Sequence, residues 1–265
     1  SIPFELIIFK CSKKTSFLIL VEGYLFSSNL WYIKDIMPWL AFILFILAAK
    51  DLLIDNNSSI NRVIMNFLSI DCSSNVGSLF VKVQNKAFIK VLQSDKSNYD
   101  SLMKNILDFF TENRVNFDDI NKIFVNQGPG NYSGLRGSLS TAKGISLSKS
   151  LKLYGYDTFI WSSVKSFNKK NFIFSLTKIR DKYFVKKFDK KLNTLIKAKE
   201  ISLKEIVNEY KDVFKVIPKN VAKYFDDKIL KLNNISIEDL DHNELEMLYL
   251  NGLLNEDLIK PVYLS

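Results

Sequence analysis

Two short stretches hold most of the groups in this chain that could do chemistry. The first is Asp71, Cys72, Ser73 and Ser74, where one strand gives way to the next. An aspartate in such a turn can hold a metal-bound water, and the hydroxyls beside it can bind phosphate oxygens. The same residues can equally cap their own hairpin backbone. The second stretch runs from Gln127 to Gly137, Gln-Gly-Pro-Gly-Asn-Tyr-Ser-Gly-Leu-Arg-Gly. Five of the nine glycines, Gly128, Gly130, Gly134, Gly137 and Gly144, crowd into this stretch and the helical pattern after it. Such crowding implies a backbone that turns sharply and then packs closely. Pro129 fixes one angle and removes a donor. Ser133 reads as an N-cap, and Arg136 falls in the first helical turn.

With a strand over 122–127 and a helix over 133–150, the segment is strand, tight loop, helix. That order aims backbone N–H groups at one spot, a geometry that holds anions. Asp71, Ser73, Ser74, Gly128, Gly130, Ser133, Gly134 and Arg136 form a phosphate-loop-like set. The plainer reading is that the glycines only let the strand enter the helix without a clash.

Conventional catalytic sets are missing. His242 is the one histidine, so neither a Ser-His-Asp nor a Cys-His arrangement exists without it. It sits in Asp239-Leu-Asp-His-Asn-Glu244, which reads as a solvated helix start and gives His242 a surface role. There is no Walker loop and no dinucleotide fingerprint. Cys11 and Cys72 exclude a disulfide framework and fit no metal spacing. No catalytic residue and no metal site are expected, and a reduced, cytoplasmic setting is.

The elements that must position these groups begin at Met65. Strands are predicted over 66–71, 76–83 and 87–92 by alternation and β-branched content. A helix is predicted over 100–111, with Leu102, Ile106 and Phe109 or Phe110 at helical spacing. The glycine-rich strand, loop and helix follow, then a strand over 151–156. Three antiparallel strands, a helix, a strand and a helix make an α/β layer of the ribonuclease-H type. No internal repeat of fixed period appears. Paired strands with basic outer faces are predicted over 171–176 and 182–188. Ser202-Leu-Lys-Glu205 is a capping box opening a helix to about Tyr210. A strand over 213–217 is halted by Pro218, and a weaker start signal at Ser236 precedes a terminal helix carrying Leu245, Leu248 and Leu250. The predicted domains are 1–64, 65–160 and 161–265, the last a reduced second lobe.

Eleven of the eighteen residues from Ser133 to Ser150 are Gly, Ala, Ser or Thr. Small residues let another helix approach closely, and small residues on more than one face suit a partner on the far side. The expected interface comprises Leu135, Leu139, Gly137 and Gly144, with Leu102, Ile106 and Phe110 of the preceding helix as apolar knobs.

The net charge is +9. Trp161 to Glu200 holds twelve Lys or Arg against three acids, which accounts for the whole excess. This is either an electrostatic footprint for nucleic acid or a solvated face in a lysine-rich sequence. The apolar run Ile36 to Ala49 is fourteen residues long, short of the roughly twenty that cross a bilayer as a helix. It lacks the basic start and cleavage site of a signal peptide. It reads as a membrane-associating helix, a buried accessory helix or residues outside the functional protein. Asp55 to Asn61 reads as a polar linker.

From Met65 the sequence resembles the TsaB (YeaZ) family of tRNA threonylcarbamoyladenosine biosynthesis proteins. The matching residues are the run beginning Phe67-Leu-Ser-Ile-Asp-Cys-Ser, then Gln127-Gly-Pro-Gly-Asn-Tyr-Ser-Gly-Leu-Arg136, Ala142-Lys-Gly144 and Pro261-Val-Tyr-Leu264. The likeness is dense over 65–159 and scattered until the tail. Met65 stands where family members commonly begin. Ser133 replaces a usual Thr, Lys178-Ile-Arg180 an Asp-Ala-Arg, and Pro218-Lys-Asn-Val221 a glycine-rich turn.

The resemblance implies an actin-like ATPase fold that has lost most catalytic equipment and takes no cofactor of its own. It implies docking to a TsaD-like catalytic subunit through the two helices after the first hairpins, with self-pairing as an alternative. With a TsaE-like ATPase, ATP and magnesium, the complex would modify the adenosine beside a tRNA anticodon. Contact with tRNA would be indirect or through the lysine-rich 165–199. The metal-binding histidine pair of TsaD has no counterpart here. The expected function is a non-catalytic scaffold. The alternative is an active ATP-dependent enzyme using Asp71 and the Gly128 loop, and a membrane-tethered protein would rest only on Ile36 to Ala49.

Overall fold

Strand β1 (Phe67–Asp71) is buried at every position, and its alternation sets the layers around it. Leu68 and Ile70 project to one side with Leu79, Val81, Ile123 and Val125. Phe67 projects to the other with Phe80 and Phe124. A strand apolar on both faces belongs in the middle of a sheet covered on both sides. It takes that place in the computed structural model, which describes residues 65–74, 76–92, 101–256 and 259–264. Cys11, the apolar run, the polar linker and the predicted helix start at Asp100 lie outside the described residues.

Strands β2 (Gly77–Val83) and β3 (Lys86–Leu92) fold back antiparallel on β1. Strands β4 (Lys122–Asn126) and β5 (Lys152–Tyr156) join parallel on its other side, giving the order β3-β2-β1-β4-β5. Helices α1 (Leu102–Glu112) and α2 (Tyr132–Lys149) cover one face, packing Ile106, Phe109, Leu139 and Ile145 onto the strands. Helix α3 (Thr158–Ser163), buried throughout, carries the chain to the second sheet.

The second sheet repeats the plan of the first. Strands β6 (Phe172–Ile179), β7 (Lys182–Asp189) and β8 (Thr194–Ile201) form an antiparallel meander. Strands β9 (Lys215–Pro218) and β10 (Ile235–Glu238) add parallel beyond β6, so the order is β8-β7-β6-β9-β10. All five strands are kept, and it is the helices that are reduced. A π-helical turn (Glu205–Glu209), α4 (Lys219–Ala222) and α5 (Asp227–Leu230) have five, four and four residues, against eleven and eighteen in α1 and α2. The Ser202 capping box forms as expected: Ser202 N donates to Glu205 at 2.8 Å, and Glu205 N to Ser202 Oγ at 3.2 Å.

One apolar cluster spans the space between the sheets. Phe67, Phe124 and Tyr156 meet Ile173, Phe188 and Val216, with Trp161 and the helix α6 (Leu245–Leu250) residues Leu245 and Leu248. Each such side chain contributes roughly 1.5–3 kcal/mol of burial. The two lobes therefore share this cluster, and each has a second one beneath its helices.

Candidate functional site

The hairpin turn after β1 and the glycine loop after β4 meet, and Asn126 joins them. Asn126 ends β4, and its Nδ2 shares two hydrogens among Asp71 Oδ1 at 3.0 Å, Ser73 Oγ at 3.1 Å and Thr158 Oγ1 at 3.1 Å. Its Oδ1 accepts from Gly128 N at 2.8 Å. Asp71 Oδ1 also takes Ser73 N at 2.9 Å. The carboxyl lies 4% exposed. Burial raises its pKa, outweighing the lowering by its bonds to Ser73 and Asn126. Nothing in the sequence around Asn126 singled it out except its place at the strand end, directly before the glycine loop.

This cradle is closed by its own backbone. Asn131 N donates to Ser73 O at 2.7 Å. Asn131, rather than Ser133, is the N-cap of α2, and its Oδ1 accepts from Ser133 N at 3.1 Å and Gly134 N at 3.4 Å. The reason is that α2 starts one residue early, at Tyr132, which places Ser133 inside the first turn. The amides of Asn131, Ser133 and Gly134, which could face an anion at a helix start, are therefore taken up within the chain. Ser74 turns to its own hairpin, Oγ donating to Val76 O at 2.7 Å. Arg136 engages the tail, with Nε 3.2 Å from Tyr263 Oη and its guanidinium 4.2 Å from the Tyr132 ring centre. Gly128 has φ +99°, a backbone that side chains resist, and Gly130 is needed for close approach to Ser73.

His242 is a correction. It lies 2% exposed, stacked on Phe80 at 5.3 Å and beside Trp161 at 4.8 Å. Its Nε2 is 2.8 Å from Ser78 Oγ and its Nδ1 2.9 Å from Ser69 Oγ, and Ser69 continues to Tyr156 Oη at 3.2 Å. The acids beside it in sequence suggested solvent. Asp241 instead caps a tight turn over His242–Glu244 that swings the ring inward. Burial drives its pKa down to about 3, so the ring is neutral. A neutral imidazole donates from one nitrogen and accepts at the other, which two flanking hydroxyls satisfy.

The helix layer also departs from expectation in its residues. Leu102, Ile106, Phe110, Leu135 and Leu139 are 0–4% exposed. They cannot touch a partner, because the spacing that marks an apolar stripe marks the stripe facing the helix's own sheet. Gly137 is half-buried and Gly144 exposed, with open space where a Cβ would stand on Gly144. On the solvent side lie Met103 and Leu107 of α1, 41% and 45% exposed, and Leu147 of α2, 83% exposed. Arg136, Ser140, Lys143, Pro261 and Tyr263 line an open groove of about 430 Å³ between α2 and the tail.

Among the described residues no helix is long and apolar enough to cross a membrane, and no cluster of three or more His, Cys, Asp or Glu could hold a metal.

A meander of three strands extended by two parallel ones, built twice around a shared core, defines the actin-like ATPase class of the ribonuclease-H-like fold. Within that class its fold is similar to that of YeaZ structures. It is similar to YeaZ from Pseudomonas aeruginosa, with TM-score 0.58 and 13% identity over 76% of this chain and 100% of that one. It is equally similar to a second Pseudomonas aeruginosa structure, described as an uncharacterized protein with similarity to peptidase YeaZ, with TM-score 0.59 and 12% identity over 76% and 100%. The sequence model of the family TsaD, tRNA N6-adenosine threonylcarbamoyltransferase, matches residues 94–173. No curated protein matches.

Proposed function

We propose that this chain is a non-catalytic partner subunit of the machinery that forms N6-threonylcarbamoyladenosine in tRNA. In this reading it docks a TsaD-like catalytic subunit through the outward stripes of α1 and α2, in the cytoplasm. The observation that carries the reading is the pairing of a closed cradle with an open helix face. The loop that could have held phosphates turns the amides of Gly128, Asn131, Ser133 and Gly134 to Asn126, Ser73 and Asn131. The helix that leaves it presents Gly144 and Leu147 to solvent. Chemistry is thus left to another subunit, and contact is what this one offers. The TsaD-family match supports the setting, since it falls on α1, the Gly128 loop and α2. One histidine cannot supply the pair of a TsaD-type metal centre.

Reconstitution tests the reading. The chain, a TsaD-like subunit and a TsaE-like ATPase are combined with tRNA, threonylcarbamoyl-adenylate, ATP and magnesium. Modified nucleoside should form with this chain present, and neither without it nor with it alone. Product from the chain alone would contradict the proposal.

A further inference from the structure

Four of the second lobe's lysines, Lys170, Lys187, Lys190 and Lys191, stand close to one end of the second sheet. Lys170 precedes β6, and Lys190 and Lys191 form the β7–β8 turn. The bond from Asn168 N to Lys190 O, 2.7 Å, brings these segments side by side. Beside them on the outward face Phe172 stands 52% exposed. Lys187 Nζ sits 4.4 Å from its ring centre. The row Phe174, Lys187, Ile196 continues across the sheet to the edge strand β8, where Ile196 is 37% exposed.

Of the acids nearby, two are paired with other lysines and the third offsets only Lys191. Glu200 pairs with Lys182 and Asp157 with Lys186. Asp189, the acid on the same face, is tied into its own turn by Lys191 N, Asn193 N and Asn193 Nδ2 at 2.8–3.0 Å.

We infer that Lys170, Phe172, Lys187, Lys190 and Lys191 form a contact surface for an unpaired segment of RNA, with the lysines on its phosphates and the Phe172 ring under a base. Identifying that RNA as tRNA rests on the proposed function. Lysines around an exposed ring are the components of sequence-tolerant single-strand binding. Outside Trp161 to Glu200 the chain carries as many acids as bases, so this segment is where a polyanion is drawn.

The test is fluorescence anisotropy of labelled tRNA with the full chain over a range of salt. Lys170→Glu with Lys190→Glu should weaken binding at least about tenfold and reduce the salt slope by about two. Phe172→Ala, which leaves charge unchanged, should weaken it by about tenfold. Lys86→Glu with Lys104→Glu, an equal charge change on exposed positions of the first lobe, should stay within about threefold. An equal loss in that control pair, or an unchanged Phe172→Ala, overturns the inference. So does preferential binding to phosphatidylserine vesicles over tRNA. Co-purification of the wild-type chain with the TsaD-like subunit is read in parallel. Loss of pairing there, with RNA binding intact, sinks the proposed function and not this surface.

Discussion

A methyl group placed on Gly130 would stand 1.9 Å from the carbonyl oxygen of Ser73. The contact is backbone against backbone, so no side chain can swing aside to relieve it. Gly130→Ala must therefore push the β1–β2 turn away from the loop, at about 1–3 kcal/mol. Thermal denaturation should show a Tm drop of about 2–4 °C per kcal/mol for a domain of this size. Gly144 makes the contrast. Gly144→Ala fills open space in a helix interior and should stabilise by about 0.5–1 kcal/mol. Two equal melting shifts would show that the cradle is looser than described.

The cradle also predicts what the isolated chain will not do. With Gly128 N, Asn131 N, Ser133 N and Gly134 N bonded internally, phosphates must break bonds to enter. Isothermal titration with ATP and magnesium should give no binding tighter than about 1 mM, equivalent to roughly −4 kcal/mol. Micromolar binding with turnover would restore the ATP-dependent alternative.

Acid stability reports on His242. Its pKa is about 3 in the fold against 6.5 when free. Between those values the unfolded chain holds the extra proton, so stability falls as pH falls, by up to about 1.4 kcal/mol per pH unit. Asp71 and Glu244 act in the opposite sense, because burial raises both, Glu244 to about 7. Their folded forms take up protons first and gain stability on acidification. Comparison with His242→Gln removes those shared contributions. The wild type should lose Tm more steeply than the variant between pH 6 and 4, although the variant melts lower at pH 7. Parallel acid limbs would contradict a buried, neutral ring.

Much of the first lobe could be read from sequence because its signals are local. The alternation of Phe67 to Asp71 and the glycine spacing after Gln127 each fix one element, and β1, β4 and α2 fall within a residue or two of their predicted bounds. The Asp71 turn and the Gly128 loop were grouped as one set, but the residue that joins them was not foreseen. What was not legible depends on contacts far apart in the chain. Asn126 gains its meaning from Asp71 and Thr158, fifty-five and thirty-two residues away. His242 gains its own from Ser69, 173 residues away. Strand β8 was missed because an edge strand, exposed at six of eight positions, shows no buried face to the sequence. Leu102, Ile106, Phe110, Leu135 and Leu139 were expected at an interface but are buried, because helical periodicity reports the covered side.

The central claim is that the outward stripes of α1 and α2 receive the catalytic subunit. Titration of a TsaD-like subunit into the wild-type chain and into a Leu107→Glu, Leu147→Glu variant tests it most directly. Both leucines are exposed, 45% and 83%, so the variant should melt within about 0.5 kcal/mol of wild type per site. Its affinity for the catalytic subunit should fall at least about a hundredfold, since two charges would be buried without partners. Undiminished affinity in a folded variant would place the interface elsewhere and contradict the account.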